Sequence, residues 1–297
     1  MNIAIYGKQF GDDYIPSIEF LLRQMQNEGF TLHVYAKFAA WLSERIPSVQ
    51  NLHTFNQIVE VLPCKALISI GGDGTLLDSV TVVQNTGVPI LGINTGRLGF
   101  LSNISSSQII DAIDALKADR YHLDHRALIE VNAPGVDFGD FNYALNEVTI
   151  HKKETSSMIA IHANMEEHYI NTYWADGLII STPTGSTAYS LSCGGPIVMP
   201  GTESWIFTPI APHNLNVRPL VVPNTKTIRL RAEGREIQFL LTLDSRAFTI
   251  DHETEVEIKN APFEIALINL EHQYFFNTIR KKMMWGIDKR NWFKLIL

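Results

Sequence analysis

Residues 65–80 read "KALISIGGDGTLLDSV": an almost unbroken apolar run, two glycines, an aspartate, a third glycine, and a return of apolar residues. Such a run is the mark of a central parallel strand buried on both faces. The segment after it, "TLLDSVTVVQNT", has helical spacing. Strand, glycine turn and helix in that order set Gly71, Gly72 and Gly74 at the carboxyl edge of a parallel sheet. Open α/β folds bind ligands there, and a helix start offers free N–H groups to anions. Asp73 is the odd member, because a carboxylate repels phosphate. The bland reading of Asp73-Gly74 is an ordinary turn or helix cap. The stretch is neither a Walker A loop, lacking its Lys-Ser/Thr ending, nor the GxGxxG fingerprint.

The flanks support the α/β reading. "NIAIY" (2–6), "FTLHVYA" (30–36) and "VPILGI" (88–93) are strand-like, and Ile15, Ile18, Leu22 and Met25 recur at helical spacing before Gly29. "SQIIDAIDALKADR" (107–120) predicts a further helix. The alternation implies an open, mostly parallel, Rossmann-like sheet. A second glycine-rich run, "GINTGRLGFL" (92–101), follows the next predicted strand, which sets two such loops side by side on one sheet edge.

After residue 120 the pattern changes to short alternating segments, among them "YALNEVTIHK", "SMIAIHANM", "DGLIIST", "WIFTPI", "IQFLLTL", "TEVEIK" and "FEIALINL". This predicts an all-β second domain over 121–270 beside an α/β domain over 1–120. No disordered linker separates them, so the cleft between them is the expected ligand site. Residues 271–297 return to helical character; leaving Phe275, Phe276, Trp285 and Trp292 in water is costly, so this tail is expected to pack on a domain or on another subunit. The basic triplet Arg280, Lys281, Lys282 within it reads as a solvated helix face.

A net charge of -7 over 297 residues excludes non-specific nucleic-acid binding, which needs a broad excess of Lys and Arg. Any phosphate must be held locally. Two distant cysteines indicate neither a zinc site nor a disulfide framework and fit a cytoplasmic protein. No apolar run reaches membrane-spanning length, and the N-terminus lacks a signal-peptide pattern.

The segment "ADGLIISTPTGSTAYSLSCGGPIV" (175–198) packs seven hydroxyl residues (Thr182, Thr184, Ser186, Thr187, Tyr189, Ser190 and Ser192) into 11 positions, with Gly185, Gly194 and Gly195 allowing close backbone approach. That density suits a sugar-phosphate ligand; a polar surface loop is the plain alternative. Asn146 and Glu147 interrupt an otherwise apolar strand, where neighbours face opposite sides.

Taken together, "GGDGT" (71–75), "NTGRLGFL" (94–101), "NEV" (146–148), "DGLIISTPTGSTAYSLSCGGP" (176–196) and "APHNLNVRPLVVP" (211–223) resemble the ATP-dependent NAD kinase family, in that order and at comparable spacing. GGDGT alone is shared with lipid kinases of the diacylglycerol type. The resemblance implies a kinase that moves the γ-phosphate of ATP to the 2′-hydroxyl of the adenosine ribose of NAD, giving NADP. It makes Asp73 the general base, with Gly74 beside it against the ligand, and gives Gly71, Gly72, Gly74 and Thr75 to the phosphate loop. Asn146, Glu147, Asp176, Thr187, Ala188, Tyr189, Ser190, Leu191, Ser192 and Ala211 match dinucleotide contacts. It further implies a last helix that returns to the first domain and a homo-oligomer, dimer or tetramer. A divalent ion such as Mg²⁺ is expected to help neutralise the phosphate; no ligand set for it is assigned. The chain departs from the family pattern at Asp78, where many members carry a basic residue, at Trp174 and at Arg246. The alternatives are a lipid kinase sharing GGDGT and a non-catalytic dinucleotide sensor.

Overall fold

The computed structural model describes residues 1–47, 52–96, 99–153, 157–235, 237–271 and 273–285. Two compact units emerge: Met1–Asp124 joined by the chain from Ala266 onward, and His125–Ile265.

The first unit alternates β1 (Asn2–Gly7), α1 (Ile15–Asn27), β2 (Thr31–Tyr35), α2 (Ala36–Arg45), β3 (His53–Phe55), β4 (Ala66–Ile70), α3 (Asp73–Val83), β5 (Ile90–Ile93) and α4 (Ile109–Ala118). Its strands run parallel in the order β3-β2-β1-β4-β5. The chain moves outward one way through β2 and β3 and the other way through β4 and β5, so the order reverses between β1 and β4. The crevice outside the carboxyl ends of those two strands is where doubly wound sheets bind nucleotides. Every residue of β4 and β5 is buried, as their apolar runs require. On α1, Ile18, Leu21, Leu22 and Met25 form the buried stripe of an amphipathic helix.

Helix α2 carries no sequence signal of its own start. It follows β2 directly, with Tyr35 as an N-cap that makes no side-chain cap bond, and is held by burying Phe38, Trp41 and Leu42.

Among the described residues the second unit is β except for a 3-10 turn (Gly185–Thr187) and the short helix that follows it. In chain order it contains β6 (Tyr121–Asn132), β7 (Tyr143–Ala144), β8 (Glu147–Lys152), β9 (Ile159–Met165), β10 (His168–Ala175), β11 (Gly177–Ser181), α5 (Tyr189–Ser192), β12 (Ser204–Ile210), β13 (Leu220–Pro223), β14 (Ile228–Glu233), β15 (Gln238–Leu243), β16 (Arg246–Asp251) and β17 (Glu255–Leu270). One sheet is antiparallel in the order β13-β12-β11-β8-β15-β16; a second runs β10-β9-β14-β17, with β6 paired to β17 and β7. Alternate residues such as Val148 and Ile150, Leu178 and Ile180, Trp205 and Phe207 point into a shared core with Ile159, Ile161 and Leu230 of the second sheet. "TEVEIK" and "FEIALINL" form one continuous strand, β17, rather than two. Its early residues pair with β14, Leu267 pairs in parallel with Ile90 of β5, and Pro262 lies between these pairings, where its missing N–H breaks neither.

After β17 the chain forms α6 (Phe275–Met283), which belongs to the first unit and buries Ile279. The architecture is thus an α/β N-terminal unit with an open parallel sheet, an all-β unit, and a helical tail returning to the first. The tail's aromatics are not all covered within the chain: Phe276 and Trp285 are each 55% exposed. Trp292 and the rest of 286–297 lie outside the described residues, within which no helix is long and apolar enough to cross a membrane.

Candidate active site

In the first unit the glycine turn leads into α3, with Gly72 as N-cap and Asp73 as the first helical residue. Gly72 and Gly74 are exposed, and a Cβ built on either meets nothing within 4 Å, so the backbone is open to a ligand. Helix geometry leaves the first-turn N–H groups without intrahelical partners. The Thr75 N–H instead reaches back to the Gly72 carbonyl at 3.0 Å. Gly71 closes β4, and the Thr75 side chain packs against it.

The Asp73 side chain belongs to a different network. Its Oδ2 accepts the Phe100 N–H at 2.8 Å, and its Oδ1 accepts those of Leu101 at 3.0 Å and Ser102 at 2.9 Å. The two glycine-rich runs therefore stand side by side because the carboxylate of one ties down the backbone of the other. Gly99 permits the approach: a Cβ there would stand 1.8 Å from Asp73 Oδ1. A carboxylate has about four lone-pair sites. Three are taken, and the fourth is on Oδ2. Lys282 Nζ of α6 lies 4.0 Å from that oxygen and 4.4 Å from the centre of the Phe100 ring. Lys282 lies on an exposed stretch of the helix, as the basic triplet suggests, but its side chain is only 27% exposed and turned to Asp73. Arg97 and Leu98 of the expected loop lie outside the described residues.

Asp78, further along α3, pairs with Lys8 at the end of β1. Burial and the Asp78 charge together push the Tyr6 hydroxyl up to about 12.

The second unit repeats the device. Asp244, in the turn between β15 and β16, accepts the N–H groups of Leu145 at 2.8 Å, Asn146 at 2.8 Å and Glu147 at 3.1 Å. Burial pushes the Asp244 carboxyl up, opposed by these three bonds and by the Arg246 guanidinium. Arg246 also donates to the carbonyls of Phe141 and Tyr143, which gives that departure from the family pattern a supporting task. Trp174 stays 54% exposed.

Held this way, Asn146 and Glu147 both point polar atoms into buried space at the start of β8. Asn146 Oδ1, Glu147 Oε2 and the hydroxyl of Ser181, which faces Glu147 across the β8–β11 pairing, have no partner among the described residues. Buried polar groups are normally satisfied, so these three atoms at one strand end are free to accept or donate to a polar group brought there. Burial, with the Asp244 charge adding, pushes the Glu147 carboxyl up to about 8.

Asp176 pairs with Lys152 at 2.6 Å, and its N–H donates to Ile210, the residue before Ala211, at 2.9 Å. Ala211 is exposed, with φ of 45°. Burial raises the Tyr189 hydroxyl, and the neighbouring Cys193, Asp176 and Glu147 add to it, so Asn146, Glu147, Asp176, Tyr189 and Ala211 form one neighbourhood.

Most hydroxyls of the Ser/Thr segment serve their own fold. Thr182 bonds the Leu145 carbonyl, Thr184 accepts from Arg126, Ser186 bonds Pro183 and Val198, Thr187 bonds Thr184, and the buried Ser190 pairs with Thr208. Gly185 sits so close to the Asn146 backbone that a Cβ would stand 2.1 Å from its carbonyl oxygen. Tyr189 and Ser192 are exposed, and Thr187, Ala188 and Leu191 half-buried, so these face outward from the segment. Sequence reasoning missed Asp244, Gly99 and Lys282. Only Gly99 left a local signal, as the last glycine of its run.

A reversal point in a parallel sheet, an open helix start and a carboxylate with one free lone pair define a nucleotide-handling phosphotransferase as a class. Comparison with known proteins gives the family. The ATP-NAD kinase N-terminal domain matches residues 19–121 and the ATP-NAD kinase C-terminal domain matches 145–270. An NAD kinase of Cytophaga hutchinsonii is 42% identical over 294 residues, 98% of this chain and 100% of that one; one of Bacteroides fragilis is 38% identical over 291 residues, with the same coverage. Among solved structures, a yeast NADH kinase complexed with NADH superposes with a TM-score of 0.86 at 22% identity, covering 97% of this chain and 88% of that one. An NAD kinase from Archaeoglobus fulgidus in complex with ATP gives 0.72 at 25% identity, covering 96% and 99%. The chain belongs to the NAD kinase family and is an enzyme.

Two outcomes follow from this geometry. Gly99→Ala forces the Asp73 carboxylate off its amides while leaving every ionisable group in place, so turnover should fall by about 10²-fold, the usual effect of a misplaced group near the chemistry. Unchanged steady-state kinetics would show that the loop contact is incidental. For Glu147, the folded protein keeps a proton that the unfolded chain releases between pH 4.5 and about 8. Its stabilising contribution is complete below that window and is lost as pH rises through it. Melting curves from about pH 5.5 to 8.5 should therefore decline less steeply in Glu147→Gln than in the parent.

Proposed function

We propose that Asp73 is the general base in the phosphorylation of NAD to NADP, taking the proton of the adenosine ribose 2′-hydroxyl as that oxygen attacks the γ-phosphorus of ATP. The O–P bond forms, the bond to the β–γ bridging oxygen breaks, ADP leaves, and the proton rests on Asp73. The observation that carries this reading is the free lone pair on Oδ2 of a carboxylate whose remaining acceptor positions are fixed by three backbone N–H groups. A base held in this way loses little orientation when the substrate arrives. Positioned bases contribute about 10² to 10⁴ in rate.

The open N–H groups at Gly72, Asp73 and Gly74, with Gly71 and Thr75 shaping the turn, take the phosphate. Asn146, Glu147, Asp176, Ala211 and the 187–192 segment take the dinucleotide, and the unpartnered Asn146 Oδ1 and Glu147 Oε2 are its first acceptors. The Archaeoglobus enzyme's complex with ATP supports ATP as the donor. Among the described residues no group of three or more His, Cys, Asp or Glu is placed to hold a metal ion. The donor set therefore suits a Mg²⁺ that enters on the nucleotide's phosphates as part of the substrate, as this reluctantly dehydrated ion commonly does. The exposed Tyr274, Phe276, Met284 and Trp285 of the tail fit a homo-oligomer, and the two free cysteines fit the cytoplasm.

Purified protein given ATP, Mg²⁺ and NAD should form NADP. Asp73→Asn should lower kcat by about 10²-fold or more. It should also lose about 1–3 kcal/mol of stability, because the amide nitrogen cannot accept from the 100–102 backbone. Full turnover in Asp73→Asn would remove the base assignment. Phosphorylation of diacylglycerol in place of NAD would select a lipid kinase, and NAD binding without turnover a sensor.

A further inference from the structure

The tail contributes one side chain to the neighbourhood of the reacting groups. Lys282, in the last turn of α6, reaches Asp73 across 209 positions of sequence, with Nζ 4.0 Å from Oδ2 and 4.4 Å from the centre of the Phe100 ring. The ammonium is therefore fixed from two sides by groups that are themselves fixed, since the Phe100 N–H donates to the same carboxylate oxygen.

The charge at this point needs an explanation. Phosphoryl transfer brings a polyanionic nucleotide up to Asp73, a carboxylate. The N–H groups at the start of α3 supply only partial positive charge. Lys8, the basic residue at the end of the neighbouring strand β1, is already paired with Asp78. Lys282 is the cation recorded against Asp73 among the described residues. Phosphoryl transfer depends on positioning and on neutralising charge over the equatorial oxygens of the transferred group, with the acceptor oxygen in line and about 3–3.5 Å away beforehand. A hydroxyl bonded to Oδ2 would share the surroundings of that oxygen with an ammonium 4.0 Å from it, and the phosphoryl group must come up to the same hydroxyl.

We propose that Lys282 is a catalytic residue whose ammonium contacts the phosphoryl group during transfer and neutralises the charge on its equatorial oxygens. The tail helix therefore completes the active site rather than only covering the first unit. This rests on the reading of Asp73 as the group that takes the ribose proton. A three-point donor on an aliphatic stem is suited to the task, since it can leave the carboxylate for a phosphoryl oxygen without moving its backbone.

The test uses the full-length enzyme with ATP, Mg²⁺ and NAD. Lys282→Met keeps the stem over Phe100 and removes the charge; Lys282→Arg keeps a cation. Lys282→Met should lower kcat by about 10²-fold, the usual cost of one transition-state donor, with KM for NAD and the melting temperature close to the parent values. Lys282→Arg should recover most of the loss. A kcat in Lys282→Met within about twofold of the parent would overturn the proposal, well short of the loss expected for a transition-state donor. So would equal losses in the Met and Arg variants accompanied by a lower melting temperature, since that marks a structural role. Asp73→Asn measured alongside separates the two readings. Full turnover there would remove the base and with it the placement of the hydroxyl on Oδ2 from which the Lys282 reading starts, whereas a large loss in Asp73→Asn beside an unchanged Lys282→Met would overturn the Lys282 proposal alone.

Discussion

Three consecutive backbone N–H groups converging on one carboxylate is the constraint around which this protein is built, and among the described residues it occurs once in each unit. Asp73 gathers the amides of Phe100, Leu101 and Ser102, and Asp244 gathers those of Leu145, Asn146 and Glu147. Hydrogen bonds to a charged acceptor are worth about 1.5–3 kcal/mol each, roughly twice the neutral kind. Loops and strand ends would otherwise leave these N–H groups to water. Each cluster instead fixes a segment of its own unit, residues 100–102 in the first and 145–147 in the second. The cost is steric: Gly99 cannot be any other residue without displacing the carboxylate.

The fold was largely legible because its signals are local. Continuous apolar runs gave the buried strands β4 and β5, and alternation gave β8, β11 and β12, because burial on two faces and on one leaves different periodicities. What escaped had no local cue. Helix α2 begins without a capping side chain. Strand β16 is reached through a tight Asp244-Ser245 turn, which lacks the glycine of common hairpin turns, with Asp244 itself at φ of 50°. The break expected near Pro262 is absent because pairing on either side of it carries the strand through.

The site was legible as motifs and not as interactions. GGDGT and "NEV" are contiguous and could be read as such, but the partners that orient them lie far off in sequence. Asp244 is 98 positions from Asn146, and Lys282 is 209 from Asp73. No periodicity links residues so distant, and a basic triplet on a helix reads as solvated until its neighbour is known. In the Ser/Thr segment, density alone does not separate the hydroxyls that hold the turn from the residues that face outward. Thr182, Ser186 and Ser190 spend their hydroxyls on the turn that presents Tyr189 and Ser192. The buried polar atoms without partners at Asn146 and Glu147, on which the proposed dinucleotide contacts rest, are revealed only by burial and hydrogen bonding.

The proposed mechanism gives the carboxylate beside the glycine turn two tasks performed with different lone pairs: three hold the neighbouring loop, and one is kept for a proton. The most direct measurement is the structure of the enzyme with NAD bound, read for the distance between Asp73 Oδ2 and the 2′-hydroxyl of the adenosine ribose. The account predicts a separation of about 2.6–3.2 Å, with the bonds to Phe100, Leu101 and Ser102 kept. A bound NAD whose 2′-hydroxyl lies beyond hydrogen-bond reach of Asp73, and against another acceptor, would contradict it.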